Sequence, residues 1–207
     1  MPIEIDHIYR VNQTLLEMFQ DRGSEISENL FKSGLSLENF RILAKSFNSI
    51  EKNLSPFNFF VDVGEERPKK EVHFVCFKKK IDKKFIEDSI VKQSKVDKYI
   101  DHNKYISMLV IFNEELQDGM PLNLLGVEIF HYKQLLYNPS RHDLVPKHEI
   151  IDRDDCPYSD DELPVIDVND RMARYLGMIP GQICKITRTN TSCGTSIYYR
   201  ICKQILT

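Results

Sequence analysis

The sequence predicts an α/β protein of the α+β kind, with an N-terminal α/β domain over residues 1–140 and a small mixed α+β module over 141–207. Three observations carry this. Near the start, apolar residues recur at three- and four-residue spacing, the mark of a helix with one buried face. In the middle, strand-like runs are separated by a lysine-rich segment of helical length. The last third then reads as strand, short helix, glycine stop, proline–glycine turn and two further strands.

Ile8, Val11, Leu15 and Met18 line one helical face, with Asp6 placed as its cap and Gly23 as its stop. A second helical pattern covers Glu25 to Lys32. A third follows Ser36, with Leu37, Phe40, Leu43, Ala44 and Phe47 on one side. Strands are then expected at Phe57–Val63, Val72–Phe77, Tyr105–Phe112 and Val127–Leu136. The polar run Gly64-Glu65-Glu66-Arg67-Pro68 makes a hairpin loop between the first two. Asp82 to Asn103, between the second and third, supplies Phe85, Ile86, Ile90 and Ile100, so strand–helix–strand reads as a β-α-β crossover. Asn138-Pro139-Ser140 marks the hinge before the C-terminal module.

That module centres on Leu163 to Arg200. A strand after Pro164 leads into a short helix, where Asn169 can cap and Asp170 suits the positive end of the helix dipole. Met172, Tyr175 and Leu176 share one side, and Arg171 and Arg174 another. Gly177 is placed to supply the left-handed residue that ends the helix. Ile179-Pro180-Gly181-Gln182 fits a type II turn, and two strands follow it. A module of this size buries only about 60% of its extended-chain surface, so it is expected to lean on a partner.

Bulk properties exclude several classes. Net charge is −3, with 19 basic and 21 acidic residues before position 141, so neither part is a basic nucleic-acid domain. Any DNA contact must be local or delegated. The N-terminus has no apolar signal-like stretch, and the longest clean apolar run, Met108–Phe112, is far too short to cross a bilayer. The five cysteines (76, 156, 184, 193 and 202) form no C-x-x-C pair, which favours reduced thiols in an intracellular compartment over a zinc site or disulfide framework.

Few clusters suggest chemistry. Nine lysines and five acids fall in residues 78–104. Lys78, Lys79, Lys80, Lys83 and Lys84 are the DNA-proximal candidates, through weak salt-sensitive phosphate contact. The plainer reading, a solvated helix face, is preferred. Asp62 and Glu71 with a lysine from 78–80 would suit a metal-dependent nuclease, but His73 stands where that motif needs its lysine. His142 and His148 lack enough neighbouring ligands for a metal. No cofactor, metal or small-molecule substrate is expected. The polar residues of the last third are arginines and tyrosines, the types that carry protein–protein hot spots.

The run His142-Asp143-Leu144-Val145-Pro146-Lys147-His148, followed by L-P-V-I, D-R-M-A-R-Y-L-G, P-G-Q-I-C-K-I-T-R and S-I-Y-Y-R, resembles the assembly module of one RNA polymerase subunit. It is the fifth-largest of the eukaryotic nuclear polymerases and has a counterpart in the archaeal enzyme. The segment Y-R-V-N-Q-T-L-L-E-M-F-Q-D-R-G, ending at Gly23, resembles the opening of the eukaryotic subunit. That extends the likeness into an N-terminal jaw domain absent from archaeal versions.

The resemblance implies a non-catalytic subunit of DNA-directed RNA polymerase. Its C-terminal module would dock on the largest subunit beside other subunits, and its jaw would lie near downstream duplex DNA, touching it weakly or indirectly. The family's jaw is related in fold to metal-dependent nucleases but carries no catalysis. The docking candidates are Leu144, Pro146, Arg171, Arg174, Tyr175, Arg188, Tyr199 and Arg200. The alternative function is a free-standing α/β DNA-binding or nuclease protein; a third is a regulator that mimics the docking module.

Two departures stand out. Residues 149–162 are short, acidic and broken by Pro157, where the family carries a helix. Glu114 to Pro121 replaces the family's Thr-Pro-Ser-Ala loop. Such divergence fits a polymerase encoded by a large DNA virus, working in host cytoplasm and virion; a cellular subunit would be nuclear.

Overall fold

The N-terminal helix α1 spans Ile5–Asp21 and buries Ile8, Val11, Leu15, Met18 and Phe19 on one face. This is from a computed structural model that describes residues 4–28, 35–46, 57–62, 69–76, 104–112, 123–124, 127–190 and 194–205. The helix begins one turn earlier than the apolar pattern suggests, with Glu4 at the N-cap and no side-chain cap bond. Asp6, the expected cap, sits inside the first turn and forms an ion pair with Arg41 of α2 (Leu37–Ser46). That bond holds its carboxyl below the usual carboxylate range. Phe40 and Ala44 of α2 are fully buried.

The expected second helix is corrected over its first four residues, and its remainder, residues 29–32, lies outside the described residues. Glu25–Glu28 is a strand, β1, paired antiparallel with β2 (Phe59–Asp62). Glu-Ile-Ser-Glu is too short for helical and strand periods to separate, so pairing to a neighbouring edge decides. Gly23, at φ 71°, turns the chain into it.

Strands β3 (Lys69–Cys76), β4 (Lys104–Phe112), β5 (Asn123–Leu124) and β6 (Val127–His131) complete a sheet of order β1-β2-β3-β4-β6-β5. β2 and β3 pair antiparallel, β3 and β4 parallel, and β4 and β6 parallel. The parallel β3–β4 pair is what a crossover connection produces. Its connecting residues, the lysine cluster from Lys78 to Lys84 and the acidic 114–121 loop all lie outside the described residues. Met108 to Phe112 are all buried, the continuous pattern of a strand covered on both faces.

The last N-terminal strand stops at His131 rather than running to Leu136. The His131 side chain accepts from Lys133 N–H and the Gln134 side chain accepts from His131 N–H, which starts a 3-10 turn at Tyr132–Leu135. Arg22, at the end of α1, forks onto Glu128 of β6 at 2.8 and 2.9 Å.

The chain divides into units Met1–Tyr137 and Asn138–Thr207. The second is a four-stranded sheet of order β7-β9-β10-β8, from β7 (Lys147–Ile151), β8 (Val165–Asp167), β9 (Ile183–Asn190) and β10 (Gly194–Lys203). β9 pairs antiparallel with β7 and β10, and β8 lies parallel to β10. The short helix α3 (Arg171–Leu176) brings Ala173 and Met178 onto one face, against Ile166, Cys184, Ile186 and Cys202. Leu163 covers the other face with Ile183 and Ile201. The whole is an α+β protein.

Candidate docking surface of the C-terminal unit

The position of α3 follows from its two caps. Its N-cap is Asp170 rather than Asn169: the Asp170 carboxylate accepts from Met172 N–H at 2.8 Å and Ala173 N–H at 3.3 Å. Asn169 instead stands in a local turn, its N–H donating to the Asp167 carboxylate. At the other end Gly177 is left-handed at φ 69°, and Gly177 and Met178 donate to Arg174 and Ala173 carbonyls. That pairing closes the helix tightly. The turn Ile179–Gln182 is as expected, with Gly181 at φ 94° and Gln182 N–H bonded to Ile179 O.

Fixed in this way, α3 turns Met172, Ala173 and Tyr175 inward and leaves Arg171 exposed and Arg174 half-buried. Tyr175, the third docking candidate on this helix, lies on its buried side. It is 2% exposed, and its hydroxyl is hydrogen-bonded at 3.3 Å to Ser140, in the 3-10 turn Pro139–Arg141 that Asn138 caps. It is a core residue that seats the helix.

Leu144 is 86% exposed on a shaped turn: His142 accepts from Leu144 N–H through Nδ1 and from Val145 N–H through its carbonyl. Pro146 is half-buried, and its carbonyl lies 2.6 Å from His148 Nδ1. Both histidines thus serve local backbone geometry. Among the described residues no group of three or more His, Cys, Asp or Glu is placed to hold a metal.

Register separates the remaining candidates into two faces. Arg188 lies opposite Ser196, and Arg200 opposite Cys184, so both share a face with Tyr198. The Arg188 guanidinium stands 5.2 Å over the Tyr198 ring. Arg200 donates to the Val165 carbonyl at 3.1 Å, tying β10 to β8. Tyr199 points to the opposite face, where it packs against the Leu163 cluster and lies 5.8 Å from the Tyr158 ring. The structure therefore puts Arg188, Tyr198 and Arg200 on one face, with Arg188 over the Tyr198 ring and Arg200 turned to Val165, and sets Tyr199 on the other.

Sequence reasoning passed over Ile197 and Tyr198, which are 49% and 50% exposed. The signal was present but ambiguous: Ser-Ile-Tyr-Tyr-Arg does not alternate apolar and polar, which fits either a strand covered on both faces or one with an apolar side chain in solvent.

After β7 ends at Ile151, residues 152–162 form a cross-linked loop with one 3-10 turn, Arg153–Asp155. Arg153 pairs with Asp160 and donates to the Tyr158 carbonyl. Ser159 N–H and hydroxyl both donate to Glu162, which lowers that carboxyl's pKa. Leu163 then anchors the segment in the core.

Two of the thiols in this unit lie in its core. Burial pushes the Cys184 thiol up to about 11 and raises Cys202 as well, which keeps both as inert thiols. The Arg188–Tyr198 stack consists of residue types common at protein–protein contacts.

Residues 137–202 match the family described as RNA polymerase Rpb5, C-terminal domain. The archaeal "DNA-directed RNA polymerase subunit Rpo5" of Archaeoglobus fulgidus is 36% identical over 67 residues, which cover 29% of this chain and 88% of that protein. The chain belongs to the Rpb5 family of RNA polymerase subunits. Full-length likeness is lower but nearly complete in coverage. "DNA-directed RNA polymerases I, II, and III subunit rpabc1" of Dictyostelium discoideum is 26% identical, over 96% of this chain and 98% of that one. "DNA-directed RNA polymerase subunit 5-like protein 1" of Arabidopsis thaliana is also 26% identical, over 93% of each chain. The likeness to the two eukaryotic proteins therefore includes the N-terminal unit, whereas the archaeal protein matches a stretch about the length of the C-terminal one. A free-standing nuclease is not favoured, because these relatives carry polymerase names.

Proposed function

We propose that this chain is a non-catalytic subunit of a multisubunit DNA-directed RNA polymerase. Nucleotidyl transfer belongs to other subunits, and this chain contributes shape and contacts. The observation that carries the reading is its membership of the Rpb5 family, with near-complete coverage by the full-length eukaryotic relatives.

In this reading residues 141–207 dock on the largest subunit, and residues 1–140 form a jaw beside downstream DNA. Leu144, Pro146, Arg171, Arg174, Arg188, Tyr199 and Arg200 make the docking contacts, with Tyr175 holding α3 from beneath. The exposed Arg171 and the Arg188–Tyr198 stack support this assignment, since arginine and tyrosine dominate interface energetics. Lys78, Lys79, Lys80, Lys83 and Lys84 give at most weak, salt-sensitive attraction to DNA. The site of action is inside the cell: the nucleus for a cellular polymerase, and host cytoplasm and virion for a viral one.

The test is capture of the tagged full-length chain from its native source, followed by identification of what accompanies it. Two large polymerase subunits at one-to-one support the reading. Recovery of the chain alone, or bound only to DNA, overturns it.

A further inference from the structure

Among the described residues, the outer edge of β10 is half used. Its pairing with β8 covers only Ile201 to Lys203, while its pairing with β9 runs from Gly194 to Ile201. Hydrogen bonds fix which backbone groups face which side. Cys202 N–H and C=O bond to Gln182 and Gly181, towards β9, whereas Ile201 N–H bonds to Pro164 O, towards β8. By alternation, Thr195, Ile197 and Tyr199 present their N–H and C=O groups on the β8 side, beyond the point where β8 begins.

This stretch lacks the devices by which proteins protect an edge. Gly-Thr-Ser-Ile-Tyr-Tyr carries no charge and no proline, and the pairing with β9 shows no bulge from Gly194 to Ile201. Each face carries a large apolar or aromatic side chain, Ile197 on one and Tyr198 on the other, both about half exposed. Its charge is one-sided. Residues 183–203 contain Lys185, Arg188, Arg200 and Lys203 and no acid, so the field around this edge disfavours a second copy of itself and favours an acidic partner.

We propose that the β10 edge at Thr195–Tyr199 is a strand-addition site. It takes an extended, acidic-and-apolar segment of another polypeptide of the polymerase, which pairs in line with β8. Main-chain hydrogen bonds to Thr195, Ile197 and Tyr199 give the affinity, and Ile197 on one face and Tyr198 on the other read alternate side chains. Arg188 and Arg200 bind carboxylates of the incoming strand. The occupant's identity rests on the polymerase reading above; the open edge does not.

Hydrogen exchange of the full chain, alone and within the captured complex, tests this. The amides of 195, 197 and 199 should exchange freely in the chain alone and slow by about tenfold or more in the complex, while those of 196 and 198 are slow in both. Equal rates in the two samples overturn the proposal. So does protection that grows with the concentration of the chain alone, which would make the occupant a second copy.

Ile197→Pro removes one outward N–H, a change that an edge strand tolerates. It should reduce capture of the partner by about tenfold or more with an unchanged circular dichroism spectrum. Ile197→Pro that retains full stoichiometry overturns strand addition while leaving polymerase membership intact. A wild-type chain that captures no polymerase subunit overturns both.

Discussion

Replacing Asp170 by alanine removes the acceptor for two otherwise unpaired N–H groups at the start of α3. Loss of such a cap costs about 1 kcal/mol. Helix α3 is only six residues long and brings Ala173 and the following Met178 onto the Ile166–Cys184–Cys202 cluster, so its loosening is felt in that core. For a unit of this size, about 1 kcal/mol lowers the midpoint of thermal unfolding by about 4–8 °C. Asp170→Asn keeps an acceptor and should fall by only a fraction of that. Asn169→Ala leaves the backbone N–H bond to Asp167 in place and should change stability by less than about 0.5 kcal/mol. The assay is scanning calorimetry of the full chain, with hydrogen exchange over residues 170–178 assigning the change to α3. Equal effects of Asp170→Ala and Asn169→Ala, or a larger one at 169, would refute this boundary and the capping argument with it.

Glu128→Gln weakens the fork from Arg22, whose side chain is only 11% exposed, and should cost about 2 kcal/mol in urea unfolding, with Arg22→Ala non-additive beside it. A thiol-alkylating reagent at pH 8 should leave Cys184 and Cys202 unlabelled in the folded chain and label both after unfolding, as read by peptide mass spectrometry. The Glu162 carboxyl is held below its ordinary range by Ser159. Its contribution is therefore complete above the unfolded carboxylate pKa and is lost as pH falls through the lowered value. Glu162→Gln should flatten that acid limb, measured as stability against pH. Arg171→Glu with Arg174→Glu should reduce co-purification with polymerase subunits while preserving the circular dichroism spectrum.

The C-terminal unit was legible in sequence wherever local chemistry decides structure. Gly177 and Pro180-Gly181 announce a left-handed stop and a type II turn, and both are where they were expected. The cap was misplaced by one residue because Asn169 and Asp170 are both good caps, and only the preceding Asp167 turn chooses between them. The Glu25–Glu28 strand was illegible for a different reason: its partner lies at Phe60–Asp62, far along the chain, and nothing local distinguishes it from a helical turn. The burial of Tyr175 was not legible, because a helical wheel separates faces but does not say which face the sheet covers. The placing of Arg188, Tyr198 and Arg200 on one face, and of Tyr199 beside Tyr158 on the other, needed the β9–β10 register. The open β10 edge depends on β8 having three residues, a length set by where Pro164 stops it and not by any motif.

Sedimentation of a native extract tests subunit membership most directly. Fractions from a gradient are assayed for DNA-directed RNA synthesis and for this chain by quantitative mass spectrometry. The expected result is one peak in which the chain follows activity at constant ratio to the large subunits. A chain that sediments as a free 24.3 kDa protein, away from all RNA-synthesising fractions, would contradict the polymerase assignment.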